Sequence, residues 1–123
     1  MKNILLIEDD PFLIDIYTTK LKEAGFKIEA ATDGQEGQRK LTEKKFDLLV
    51  LDIVLPQIDG WEILKKIKQD LKLKFLPVII LSNLGQKGEV EKGMKLGATK
   101  YLIKAHYTPS EVVAEIKQLL SEG

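Results

Sequence analysis

Phe46-Asp47-Leu48-Leu49-Val50-Leu51-Asp52-Ile53-Val54-Leu55-Pro56-Gln57-Ile58-Asp59-Gly60 decides the fold. The apolar run Leu48 to Leu51 ends in a carboxylate, Asp52, and the chain then meets Pro56 and Gly60. Such a run, bounded by proline and glycine, reads as a strand buried on both faces. A carboxylate at its exit is costly to desolvate unless something binds it. The same arrangement occurs near the N-terminus, where Ile4-Leu5-Leu6-Ile7 runs into Glu8-Asp9-Asp10. Two buried strands, each delivering acid at its C-terminal end, point to a metal and phosphate site at one edge of a parallel sheet.

Working outward, short apolar runs alternate with helical patterns at a regular period. Strands are expected at Asn3 to Ile7, Lys27 to Ala31, Phe46 to Leu51, Pro77 to Leu81 and Lys100 to Ile103. Between them apolar residues recur at helical spacing: Leu13, Ile16, Tyr17, Leu21 and Ala24 first, Leu64, Ile67 and Leu71 in the third helix, Val112, Ile116, Leu119 and Leu120 in the last. Helix two, near Gly34 to Glu43, is weakly patterned. Helix four, near Gln86 to Leu96, holds Val90 and Met94 but also Gly88 and Gly93. Those two glycines each cost about 1 kcal/mol relative to alanine, which predicts a pliable helix. Asp10-Pro11 reads as an N-cap followed by proline at the first helical position. Asp33, Asp59 and Thr108 each precede a glutamate by three residues, the capping-box spacing. Gly25 and Gly97 close helices one and four. Five βα units with short connections imply one α/β domain, a parallel sheet with helices on both faces.

The bulk composition narrows the function. The 123 residues fit one domain over 1–123, and the formal net charge of zero gives no global field for nucleic acid or anionic membrane. The basic residues are lysines apart from Arg39, which argues against bidentate base or phosphate recognition. There is no cysteine, hence no disulfide framework or thiolate metal site. The first apolar run is too short for a signal peptide or membrane span, so a cytoplasmic location is expected.

In an open parallel sheet, ligands bind outside the carboxyl ends of the strands. Strand one delivers Glu8, Asp9 and Asp10 there, strand three Asp52, strand four Ser82 and Asn83, and strand five Lys104. Clustered carboxylates repel unless a cation relieves them. Hard oxygen ligands without histidine or cysteine suit Mg²⁺. A carboxylate is also a nucleophile towards phosphorus. Lys104 would then neutralise a phosphoryl oxygen and Ser82 donate a hydrogen bond to another.

Over essentially its whole length the chain resembles the receiver domains of bacterial response regulators, the chemotaxis-regulator-like switches of two-component signalling. The resemblance rests on Glu8-Asp9, Asp52, the segment from Leu55-Pro56 to Asp59-Gly60, Ser82, Tyr101 and Lys104, in that order and separation. It implies a flavodoxin-like (βα)5 fold with strand order 2-1-3-4-5. It implies that Asp52 takes a phosphoryl group from a histidine kinase or phosphotransfer protein. Asp9, Asp52 and the backbone carbonyl of Val54 would ligate Mg²⁺, with Glu8 acting mainly through a metal-bound water. Ser82 and Tyr101 would switch, reshaping the face of helix four, strand five and helix five that selects a downstream protein or a phosphorylation-dependent dimer partner. Such a chain catalyses only its own phosphorylation and dephosphorylation.

Departures from the family pattern carry expectations of their own. Ala105 follows Lys104 where the family usually has proline after a cis peptide, so the Lys104-Ala105 bond should be trans, or cis under strain, and Lys104 displaced. Asn83 replaces a small residue at the mouth of the site. Val54 and Leu84 are apolar and cannot orient an attacking water, which predicts a long-lived phosphoaspartate. Elsewhere plainer readings hold. Asp10 and Asp59 cap helices, His106 is a loop residue, and Trp61 packs near the start of helix three. Lys65, Lys66, Lys68, Lys72 and Lys74 read as a solvated face and loop, with a binding patch as the alternative.

Two other functions stay open on the residues. One is a Mg²⁺-dependent phosphohydrolase with an aspartyl nucleophile, a class that commonly needs a second acid two residues on, where Val54 stands. The other is a pseudo-receiver that binds partners without phosphorylation. A nucleotide-binding domain is disfavoured because no glycine-rich phosphate loop follows strand one. No DNA-binding or enzymatic output segment follows helix five in the sequence, which leaves two expectations open: a single-domain regulator acting by protein contact, or a receiver cut from a longer protein.

Overall fold

All five expected strands form. The computed structural model describes residues 1–121. Strands β1 (Asn3–Ile7), β2 (Lys27–Ala31), β3 (Leu48–Leu51), β4 (Val78–Ser82) and β5 (Lys100–Ile103) alternate with helices α1 (Pro11–Glu23), α2 (Gly34–Glu43), α3 (Gly60–Gln69), α4 (Lys87–Lys95) and α5 (Pro109–Ser121). The sheet runs β2-β1-β3-β4-β5, with every neighbouring pair parallel.

Side chains alternate across this sheet, and each face carries its own core. Leu5, Ile7, Leu49, Leu51, Val78 and Ile80 pack with Leu41 of α2 and Ile63, Leu64 and Ile67 of α3. Ile4, Leu6, Leu48, Val50, Ile79 and Leu81 pack with Tyr17 and Leu21 of α1 and Val112, Val113 and Ile116 of α5. The four residues of β3 are all buried, which is why this strand reads as an uninterrupted apolar run.

Caps set the helix boundaries. Asp10 accepts from the amides of Phe12 and Leu13 at 2.9 and 3.4 Å, and Pro11 opens α1. Asp33 and Asp59 accept from the Glu36 and Glu62 amides. Thr108 and Glu111 form the reciprocal box that opens α5. Gly25 and Gly97 take left-handed φ of 95° and 108° and close α1 and α4. There the amides of Gly25 and Phe26, and of Gly97 and Ala98, return to the last helical carbonyls.

Four sequence expectations shift. β3 begins at Leu48 because Asp47 is occupied with the edge of β1: Asn3 N donates to Asp47 Oδ2 and Asp47 N to Asn3 O, both at 2.7 Å. β4 begins after Pro77, which has no N–H for the ladder, and extends through Ser82 opposite Ile103. α3 stops at Gln69, since Asp70 Oδ1 takes the amides of Lys72 and Leu73 and starts a new turn. Leu71, expected on the buried face of that helix, is therefore 82% exposed. Lys68 is not part of a solvated face either. Its ammonium donates to the carbonyls of Lys74 and Leu76 and fastens this turn.

The segment from Asp52 to Gly60 is held by two backbone constraints. A Cβ on Gly60 would lie 2.4 Å from the Asp52 carbonyl oxygen and 2.6 Å from Ile53 Cα. Only glycine lets the start of α3 lie against the strand exit, where Gly60 N donates to Ile53 O at 2.8 Å. Gln57 has φ 68°, and Ile58 N reaches back to Pro56 O. A side chain in that left-handed region costs about 1–2 kcal/mol. Gln57→Gly is therefore expected to raise unfolding free energy by about 1 kcal/mol in urea, and Gly60→Ala to lower it by about 1–3 kcal/mol. Equal stability of the two variants would contradict this account of the loop.

Candidate functional site

The strand exits bring four charged groups together at the C-terminal edge. Carboxylate oxygens of Glu8, Asp9 and Asp52 all lie within 4.8 Å of one another. Lys104 reaches them from the end of β5, its Nζ donating to Glu8 Oε1 at 2.5 Å and to Asp52 Oδ2 at 2.9 Å. Each of those two acids spends its other oxygen on backbone: Glu8 Oε2 accepts from Asp10 N at 3.1 Å, and Asp52 Oδ1 from Ile53 N at 2.7 Å. Glu8 and Asp52 are buried, at 1% and 6% exposure, while Asp9 is exposed.

Lys104 is not displaced by Ala105. No peptide among the described residues is cis, so the Lys104-Ala105 bond is trans. A short 3-10 turn over Lys104–His106 leads the chain away. A trans bond here avoids the cost of a non-proline cis peptide, about 2.5–4 kcal/mol.

Electrostatically the cluster is underneutralised: three carboxylates face one ammonium. Burial pushes the Glu8 carboxyl above its ordinary range, more than its bonds from Lys104 and Asp10 pull it down. Burial also works against the Lys104 ammonium, but its two carboxylate partners outweigh that and hold its pKa up. The donor set is hard oxygen throughout and suits a hard divalent cation.

Ser82 ends β4 fully buried, and its hydroxyl accepts from Leu84 N at 3.2 Å. The Tyr101 hydroxyl donates to Leu84 O at 2.5 Å. One residue of the β4–α4 loop thus ties both side chains through its backbone. The aromatic ring lies against Gly93 of α4, where a Cβ would sit 2.8 Å from Tyr101 Cδ2 and 2.7 Å from Ile80 Cδ1. Val54 and Asn83 are exposed in loops, His106, expected in a loop, is exposed at the end of the 3-10 turn, and Asp10 serves as the helix cap it resembles. Trp61 is half-buried beneath the Lys92 ammonium, 4.5 Å from the ring centroid.

Comparison with known proteins decides the family. The response regulator receiver domain family matches residues 4–117. The chain belongs to the response regulator receiver family. Its receiver is similar to the transcriptional regulator RpaA of Synechocystis sp., at 34% identity over 98% of this chain and 49% of the relative. It resembles the receiver domain of Francisella response regulator 1452, at 28% identity and TM-score 0.91, covering 99% of this chain and 98% of that one. It also resembles the Mn²⁺-bound form of response regulator Rcp1, at 27% identity and TM-score 0.86, covering 95% and 92%. The chain spans about half the length of the curated relatives it matches. Receivers are phosphorylation-activated signalling switches of two-component systems, supplied by histidine kinases, and not turnover enzymes. No described helix is long and apolar enough to cross a membrane.

The sequence missed two parts of this receiver. Leu84 acts through backbone atoms, which leave no side-chain signature. Gly93, read as a source of pliability, makes room for the Tyr101 ring. Gly88, with nothing within 4 Å of an added Cβ, is the glycine that only weakens α4. Gly88→Ala is expected to slow amide exchange in α4 by stabilising it by about 1 kcal/mol, whereas Gly93→Ala should dislodge Tyr101 and speed exchange in β5. Slower exchange in both variants would overturn the distinction.

The raised Glu8 pKa carries a sign. The folded state holds the proton more tightly than the unfolded chain, so this group favours folding at low pH. That advantage is lost as pH rises from the ordinary value of 4.5 through the raised folded value. In metal-free buffer, Glu8→Gln should therefore gain stability over wild type as pH rises across that window. A difference in melting temperature that is flat with pH would refute it.

Proposed function

We propose that Asp52 is the phosphoacceptor of this receiver and that the segment 1–123 acts as one receiver domain. The observation that carries the reading is the Lys104 ammonium held between Glu8 and Asp52, beside Asp9, at the exits of three strands. Asp9, Asp52 and the Val54 backbone carbonyl would hold Mg²⁺, with Glu8 acting through a bound water. The all-oxygen donor set supports this, and Mn²⁺ in the related Rcp1 is consistent with it. The cation would supply charge neutralisation for the phosphoryl oxygens.

The protein residues do the rest. A carboxylate oxygen of Asp52 attacks the phosphorus of a phosphohistidine on a histidine kinase or phosphotransfer protein. The P–O bond forms as the P–N bond breaks, and the electron pair returns to the imidazole nitrogen, which takes up a proton. Lys104 exchanges one carboxylate partner for a phosphoryl oxygen, and the Ser82 hydroxyl donates to another. Positioning and charge stabilisation suffice, since phosphoryl transfer needs little covalent help from the protein.

Signalling follows from Leu84. When Ser82 turns to the phosphoryl group, the Leu84 amide loses its acceptor, and the same loop residue holds the Tyr101 hydroxyl. Tyr101 and α4 then resettle, and the face of α4, β5 and α5 changes shape for a downstream protein or a second copy. Val54, 61% exposed, and Leu84 offer no side-chain polar group to orient a hydrolytic water, which favours a long-lived phosphoaspartate. The receiver acts in the cytoplasm, where the kinase domains that would phosphorylate it lie.

Intact mass after treatment with acetyl phosphate and Mg²⁺ tests the assignment. Wild type should gain one phosphoryl group, Asp52→Asn none, and Lys104→Met at least about tenfold less at equal time, the loss of a charge-assisted contact of roughly 1.5–3 kcal/mol. Chelation by EDTA should abolish the gain. Phosphorylation of Asp52→Asn to the wild-type extent would remove Asp52 from the role.

A further inference from the structure

Lys72, after α3, and Lys45, after α2, have no part in the phosphoacceptor site, yet both border an open cleft. It holds about 680 Å³ at the N-terminal edge of the sheet, between the end of α2 and the turn joining α3 to β4. That is the size of cleft that takes a ligand's large side chains. Phe46, Leu73 and Leu76 are half-buried in its wall, and Phe75 stands 83% exposed at its rim.

The charges around this cleft are unbalanced. Glu43 pairs with Arg39, while the half-buried Asp47 accepts from Asn3 N and keeps its charge, one carboxylate against the two lysines Lys45 and Lys72. Lys44 is paired with Glu29. Lys45 and Lys72 line the cleft exposed, with no ion-pair partner among the described residues. An apolar hollow under a rim of free ammonium groups complements a chain that carries carboxylates around an apolar anchor. A lipid surface would engage a protruding face, whereas these groups surround a concavity.

We propose that this cleft docks an acidic segment of a partner protein, which inserts one aromatic or large aliphatic side chain beside Phe46 and Phe75 while its carboxylates pair with Lys45 and Lys72. The cleft lies at the sheet edge opposite Asp52 and does not depend on phosphorylation. Docking and phosphoryl acceptance are therefore separable.

Dodecapeptides selected from a random phage-displayed library on the full chain provide the test. The selected sequences should be rich in Asp and Glu around an aromatic or large aliphatic residue, and their binding should perturb amide signals in 41–47 and 72–77. Lys45→Glu/Lys72→Glu and, separately, Phe75→Ser should weaken binding by at least about tenfold, with circular dichroism unchanged. Asp52→Asn should bind as wild type does. Neutral or basic selected peptides, no selected peptide, or perturbation confined to other faces would overturn the proposal. So would flotation with anionic phosphatidylserine vesicles, or a dimer in sedimentation, that the paired charge reversal abolishes.

Discussion

The site depends on one lysine crossing a sheet edge. Glu8 leaves β1 and Asp52 leaves β3, neighbours in the sheet, but Lys104 leaves β5, with β4 between. A lysine stem is long enough to pass over the end of β4 and deliver a compact charge to both acids. Removing that charge would leave two buried carboxylates facing each other. With it in place the cluster still lacks positive charge, so folding leaves the site short of a cation rather than satisfied. Groups that bind only the folded state stabilise it in proportion to their occupancy. A cation held by this cluster would therefore favour the folded receiver.

The backbone around the site is as constrained as its charges. Gly60 allows α3 to begin against the Asp52 carbonyl, and Gln57 accepts a left-handed conformation within the same nine-residue segment from 52 to 60. Strain of this kind persists only where surrounding structure over-determines it. Here the buried β3 anchors one end and the Asp59 cap of α3 the other. Asp52 therefore sits on a fixed base, while the Ser82–Leu84–Tyr101 linkage joins the ends of β4 and β5 through one residue of the β4–α4 loop.

What could be read from the residues follows from which interactions leave a side-chain trace. Asp52, Glu8, Asp9 and Lys104 each follow an apolar run, and such a run fixes both strand and sheet edge, so their convergence was legible. Ser82 was legible as a hydroxyl at the exit of β4, but Tyr101 and its link to Ser82 were legible only through resemblance, because the joining atoms are the amide and carbonyl of Leu84. Leu71 continued a helical period that Asp70 had already ended, since periodicity does not register a competing local cap. Lys68 looked like its neighbours in a lysine-rich stretch, yet two carbonyls claim it. Ala105 suggested a displaced lysine, but the two buried carboxylates fix Lys104 from the other end.

A formal net charge of zero conceals a polar arrangement of charge. Carboxylates gather where the strands end, and unpaired lysines stand where β3 and β4 begin. The four residues of β3 separate these edges by roughly 13 Å at about 3.3 Å per residue. That distance exceeds a Debye length of about 8 Å at physiological ionic strength, so exposed charges at one edge, such as Lys45 and Lys72, are largely screened through solvent from those at the other. The acidic edge draws cations, without which it would repel an anionic phosphoryl donor; the basic edge is left to attract carboxylates. Helix α2 touches both ends of this arrangement: Gly34 lies against Ile58 in the segment after Asp52, and Leu41, Thr42 and Glu43 line the cleft.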